Sequence, residues 1–171
     1  MIVQANRWLT FLTMFLSVTA LVWGAIVKPS YQIRYNASQS APIGWYMIVP
    51  ERDLPIGAFA LARLPVGAAA LADERGYLPK SVPVLKRVAA TGGQTVCAMG
   101  DEIAIDGAPV ARSLSHDREG RYLAAWSGCR RLTDDELFLL NPESAASFDG
   151  RYFGPIPRSN VLGKAIPLWT W

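Results

Sequence analysis

The sequence predicts a mainly β domain behind a single N-terminal transmembrane helix, and three observations lead there. Residues 8–27 carry no charge, and a helix of that length spans about 30 Å, the thickness of a bilayer's hydrocarbon core. Beyond residue 30 the apolar residues come in short runs broken by Gly and Pro, the pattern of strands and turns. Only residues 67–75, short and Ala-rich, have helical composition after the first segment.

In chain order, residues 1–7 form a tail, 8–27 a membrane anchor and 28–171 a β domain. Trp8 and Trp23 lie near the ends of the apolar segment, where indole rings favour the interface. A cleaved signal peptide is the other reading, because the segment is N-terminal and follows Arg7. Against it, the run exceeds the ~7–15 residues of a signal h-region and no clear A-x-A site precedes Lys28. Orientation is not given by charge, since Arg7 and the amino terminus on one side balance Lys28 and Arg34 on the other. Strands are expected at 45–49, 58–61, 82–90, 102–105, 136–140 and 161–169. Leu54-Pro55-Ile56-Gly57, Leu64-Pro65-Val66-Gly67, Thr91-Gly92-Gly93, Asp106-Gly107 and Asn141-Pro142 supply the turns between them. Residues 112–128, with mixed charges and the only histidine, read as an exposed loop or flexible excursion.

Composition narrows the function classes. The net charge of +3 comes from 13 Arg and four Lys spread along the chain, with no cluster longer than Arg130-Arg131. A nucleic-acid face would show clustering, so none is expected, and a basic domain beside anionic lipid headgroups explains the balance. Cys97 and Cys129 are the only cysteines and belong to no C-x-x-C pair, so neither a metal site nor any other cofactor is expected. In a domain outside the cytoplasm an even count favours a disulfide; two separate buried thiols are the alternative.

For nucleophilic chemistry a Ser-His-Asp arrangement would need His116, which sits among polar neighbours where an oriented, buried imidazole is not expected. A serine activated by lysine is left, and it requires an amine kept neutral by burial. Lys28 closes the anchor, Lys80 sits in a Pro-Lys-Ser turn and Lys164 follows Gly163. Lys86 differs: strand alternation puts it on one face with Val82, Val84 and Val88 while Arg87 points away, so it is either desolvated or snorkelling from a strand edge. Ser40 precedes a bend constrained by Pro42, and Ser38 points to the same side if the stretch is extended. Gly44 would allow close approach of a substrate backbone. Alone, these residues also fit a turn that tethers the domain to its anchor.

Three segments in order carry a resemblance. Ser38-Gln39-Ser40-Ala41-Pro42-Ile43-Gly44-Trp45-Tyr46, the run from Leu85 through Lys86 to Val96, and Ser147-Phe148-Asp149-Gly150-Arg151-Tyr152-Phe153-Gly154 resemble the serine, lysine and Ser-x-Asp-x-Arg boxes of type I signal peptidases. The S-x-P-x-G form of the first box, the small size and the cysteine placement look most like the TraF branch, peptidases of conjugative plasmid transfer. The first box is one residue shorter between Ser and Pro than in housekeeping enzymes. Gly150 stands where Ser is usual, with little consequence expected. The resemblance implies Ser40 as nucleophile, Lys86 as general base and Ser38 as a contributor to the oxyanion hole. It also implies that Ser147 orients the lysine, and it assigns Asp149 the role of the acidic residue of the TraF branch. Arg151, two positions on along an extended segment, is placed to pair with Asp149.

The expected function is a single-pass serine endopeptidase of the bacterial inner membrane, its β domain periplasmic, acting on a membrane-inserted precursor. The TraF resemblance implies a pilin-like substrate, an amine as possible second acceptor giving a cyclic product, and partners in the conjugation machinery. A general signal peptidase for secreted preproteins is the alternative within the class. A non-catalytic envelope protein that binds or assembles others is the alternative outside it.

Overall fold

The computed structural model describes residues 2–26 and 30–171, and the chain divides into two units, Met1–Ser30 and Tyr31–Trp171. The expected end of the anchor at Val27, the domain boundary at Lys28 and the Lys28 side chain lie outside the described residues.

In the first unit α1 runs Ile2–Ile26, so the helix starts six residues before the uncharged run. The 18-residue window from Arg7 has a mean hydropathy of 1.3, and its side chains are uncovered. Thr13 and Thr19 return their hydroxyls to the carbonyls of Thr10 and Phe15, so these two donors are satisfied within the helix. The helix is long and apolar enough to cross a membrane, as an anchor or as a signal sequence.

The second unit is built from two antiparallel sheets. The larger has the order β1-β2-β11-β3-β4-β9-β10, formed by β1 (Gln32–Asn36), β2 (Gly44–Val49), β3 (Phe59–Ala62), β4 (Val84–Thr91), β9 (Glu136–Leu140), β10 (Ile156–Pro157) and β11 (Val161–Thr170). The smaller has the order β7-β6-β5-β8, formed by β5 (Thr95–Met99), β6 (Glu102–Ile105), β7 (Ala108–Arg112) and β8 (Gly128–Arg131). Two helices complete it, α2 (Val66–Glu74), where Ala-rich composition predicts one, and the single turn α3 (Gly150–Phe153).

The six expected strands are present within two residues at either end. Five strands go beyond those expected: β1, β7 and β8 are exposed or nearly so, with Pro109 inside β7, and like the two-residue β10 they are edge strands without an apolar alternation to reveal them, whereas β5 is an interior strand of the small sheet whose half-buried alternation through Val96 and Ala98 the sequence reading missed. The disulfide Cys97–Cys129 joins directly opposed residues of β5 and β8.

Strand β9 separates two cores. Leu137 and Leu139 pack with Val88, Ala60 and Val161 on one side, whereas Phe138 and Leu140 pack with Val96, Ile103 and Leu132 under the small sheet. A register shift between Val88 and Ala90 sends consecutive inward residues of β4 to different cores. A third cluster of Tyr46, Ile48, Phe59, Leu61 and Ala41 lies beneath the segment that follows β1.

Residues 113–127 form no strand but are held in place. Ser113 and Leu123 are buried, and His116 bridges Tyr122. Asp117, its side chain 4% exposed, accepts hydrogen bonds from Tyr77, Arg75 and Arg121. Burial opposes its charge, but the donors of Tyr77 and Arg121 outweigh that and hold the carboxyl well below the usual carboxylate range. A depressed carboxyl contributes stability that is complete above its unfolded value and lost only as pH falls through the folded one. Asp117→Ala is therefore expected to speed tryptic cleavage after Arg118 and Arg121 at pH 7 while far-UV circular dichroism stays unchanged; cleavage at the parental rate would contradict this clamp.

Candidate active site

The Ser38–Ser40 segment has no regular structure, so side chains must hold it. Asn36, the last residue of β1, donates through Nδ2 to the carbonyls of Ser38, Ala41 and Pro42 at 2.9, 3.2 and 3.0 Å. Its Oδ1 accepts the Ser38 N–H at 3.1 Å, an Asx turn. From below, the buried Tyr46 hydroxyl donates to the Pro42 carbonyl at 2.8 Å. Gly44 closes the loop at φ +145°, and a Cβ there would lie 2.1 Å from the Trp169 carbonyl. The close approach this glycine permits is thus with strand β11, not with a substrate as the sequence suggests.

Lys86 lies in β4 opposite Ala60 of β3, a side chain small enough to leave room for the amine. It is 3% exposed. Val84 and Val88 share its face as expected, but Val82 lies before the strand and is exposed. The Nζ is 3.0 Å from Ser40 Oγ and 2.6 Å from Ser147 Oγ, while Ser40 Oγ is 2.9 Å from Ser38 Oγ. Burial lowers the ammonium from 10.5 to about 8, opposed by the Asp149 charge and reinforced by that of Arg151. Ser38 Oγ also accepts the Ser40 N–H at 3.2 Å.

Ser147 is carried by a loop built around one ion pair. Arg151 grips Asp149 in a two-pronged contact, Nε to Oδ1 and Nη2 to Oδ2, both 2.8 Å, with side chains 1% and 0% exposed. The remaining guanidinium hydrogens meet the carbonyls of Arg112, Asn141, Ser144, Ala145 and Ser147. Asp149 also accepts the N–H groups of Asn141 and of Arg151, and in the second contact it caps α3. The pair therefore forms across a cap and a helical turn, where the sequence suggests an extended segment. Gly150 corrects a second expectation: a Cβ there would sit 2.6 Å from the Leu139 carbonyl and 2.7 Å from the Phe138 ring, so the missing side chain is required.

A cleft of about 900 Å³ opens over Ser40, Lys86 and Ser147, walled by Leu61, Val84 and Phe148 among others. His116 lines its outer wall, exposed, with Nδ1 against Ser115 Oγ at 3.0 Å. Among the described residues no group of three His, Cys, Asp or Glu could hold a metal ion. Two residues of the site were not legible as such. Asn36 had a faint signal in its Asn-x-Ser spacing, whereas Asn141 reads only as part of a turn.

A half-buried serine hydroxyl against a buried amine is an arrangement for acyl transfer, and comparison with known proteins agrees. The model of the family described as signal peptidase, peptidase S26, matches residues 5–170, and the chain belongs to this family of serine peptidases. Among its relatives are conjugal transfer proteins. It is 34% identical over 176 residues to the conjugal transfer protein TraF of Agrobacterium tumefaciens (strain 15955), covering 97% of both chains. It is 33% identical over 148 residues to the plasmid transfer protein TraF of Escherichia coli, covering 81% of this chain and 83% of the relative. A crystal structure of a signal peptidase I from Enterococcus faecalis V583 aligns at a TM-score of 0.40 and 17% identity, covering 66% of this chain and 96% of that one.

Two outcomes are expected from the buried charges. Removing one partner of a buried pair costs about 3–5 kcal/mol, so Arg151→Met should lower the unfolding free energy in a urea titration by that amount, and Arg151→Lys should not restore it because an ammonium cannot supply the fork. For Lys86 the sign is opposite. The folded chain binds fewer protons than the unfolded one between pH 8 and 10.5, so stability rises with pH across that window. At about 1.4 kcal/mol per tenfold change in proton affinity, the penalty at pH 7 is about 3 kcal/mol. Lys86→Met should therefore raise the melting temperature at pH 7, and the gain should shrink as pH approaches 10; a lower melting temperature at pH 7 would overturn it.

Proposed function

We propose that this protein is a membrane-anchored serine endopeptidase in which Ser40 is the nucleophile and Lys86 the general base. The observation that carries the reading is the buried Lys86 amine within 3.0 Å of Ser40 Oγ and 2.6 Å of Ser147 Oγ. Neutral Lys86 takes the proton as Ser40 Oγ attacks the scissile carbonyl, and Ser147 keeps the amine pointed at that oxygen. The developing oxyanion takes the Ser40 N–H and the Ser38 hydroxyl, groups that lie within hydrogen-bond distance of each other. Protonated Lys86 then gives its proton to the leaving amine. Water, deprotonated by the same lysine, releases the acyl group; an amine acceptor in its place would give a cyclic product.

The substrate we infer is a membrane-inserted precursor, pilin-like, processed alongside conjugation components, a reading supported by relatives named as conjugal and plasmid transfer proteins. Residues 1–7 lie in the cytoplasm, α1 crosses the inner membrane and the β unit is periplasmic. A disulfide supports an oxidising compartment. Exposed rings of Tyr35, Trp45, Trp169 and Trp171, in mutual contact at 5.1–6.4 Å, support a setting beside lipid. The family description favours a second reading, general processing of secreted preproteins.

Ser40→Ala and Lys86→Ala should each lower turnover of the precursor at least about 10³-fold with the fold intact, measured by mass spectrometry of the product; normal maturation in both would leave only a non-catalytic role. In the parent, kcat/KM should climb as pH passes about 8 and level above it, because only the neutral amine accepts the proton. A profile flat from pH 6 to 10 would sink the neutral-lysine mechanism. Processing of unrelated signal peptides as fast as the conjugative precursor would decide for the general enzyme.

A further inference from the structure

Strand β9 pairs with β4 as far as Leu140 opposite Arg87, and there the ladder stops because Pro142 has no N–H to extend it. The backbone of Asn141 is already turned away, its N–H given to Asp149 and its carbonyl to Ser144 and Arg151. Its side chain, 1% exposed in the residue as a whole, does what the missing strand residue would have done. Oδ1 accepts the Arg87 N–H at 2.9 Å and Nδ2 donates to the Leu85 carbonyl at 3.3 Å, so one amide meets the two β4 backbone groups that flank Lys86. The second Nδ2 hydrogen goes to the carbonyl of Ser40.

All three main polar functions of this amide are therefore used, and they join the strand of the lysine to the residue bearing the nucleophile. No other side chain matches the set. Asp has no donor, Leu has neither donor nor acceptor, and Gln is a methylene too long. The loop that Asn36 and Tyr46 hold from its other end has no strand pairing of its own at Ser40, so this contact is what ties its backbone to β4. We propose that Asn141 is a positioning residue that sets the separation between Ser40 Oγ and Lys86 Nζ, an inference that rests on the Ser/Lys reading above. Misplacement of reacting groups by about 1 Å costs on the order of 100-fold in rate.

The test is phosphonylation of the full-length protein in detergent by a fluorophosphonate, followed by mass at Ser40 across pH, in Asn141→Ala, Asn141→Asp and the parent. Asp keeps the shape and the acceptor for Arg87 but loses both donors, so it carries the experiment if Ala does not fold. Near-UV circular dichroism reports the folded fraction. The expected result is labelling about 100-fold slower per folded molecule in either variant. In Asn141→Asp the midpoint of the pH profile also moves upward, since a carboxylate beside Lys86 favours its charged form. That shift follows from the added charge alone; a purely structural role would leave the plateau labelling rate per folded molecule unchanged. Labelling of a folded variant at the parental plateau rate overturns the proposal, whatever its midpoint. Ser40→Ala and Lys86→Ala run in parallel: if the parent is not labelled at Ser40, or labels equally well without Lys86, the Ser/Lys reading fails, whatever Asn141 does.

Discussion

The site depends on the buried contact between Asp149 and Arg151. Two charges withdrawn almost wholly from water are tolerable only if each is satisfied by fixed partners, and the surplus donors of the guanidinium are spent on carbonyls of the 141–147 loop. A loop whose carbonyls point inward would otherwise leave acceptors unsatisfied in the interior. The ion pair thus sets the loop's course, and the course of the loop brings Ser147 against Lys86 and turns Asn141 toward β4. The same carboxylate is felt electrostatically by Lys86, but desolvation of the amine outweighs that pull.

Lowering a lysine from 10.5 to about 8 requires a rigid surround that desolvates the amine. Strand β4 provides it by running between two cores, anchored by Val88 in one and Ala90 in the other. Ala60 opposite leaves room for the amine without admitting solvent. Ser40, the proposed nucleophile, in contrast sits on an irregular loop, so its order is borrowed from Asn36, Tyr46 and Asn141. On the proposed reading, a base fixed in the sheet and a nucleophile on a supported loop divide the work between them.

Much of this was legible in the linear chain for identifiable reasons. Most central strands are marked by apolar runs because one face is buried, β5 being the exception, and Lys86 stands out because a charge interrupts such a run between valines. Edge strands β1, β7 and β8 carry no such mark, since almost all of their residues are exposed. Residues 112–128 read as an exposed loop or flexible excursion because Arg75 and Tyr77, the partners of Asp117, lie some 40 residues away in sequence. Gly44 and Gly150 were visible as glycines, but what each makes room for, Trp169 and the Leu139–Phe138 pair, belongs to other strands.

By itself the sequence determined the apolar helix, the mainly β character of the rest, and the residue types of the three boxes, all of them properties of composition and short-range spacing. Only the tertiary structure decided that Ser40 and Lys86 meet at 3.0 Å, that the amine is desolvated there, and that Asn141 joins the two segments. Those outcomes depend on groups 46 and 101 positions apart converging at one point. Burial and distance are properties of that convergence, set by sheet register and by the Asp149–Arg151 pair, which no local pattern encodes.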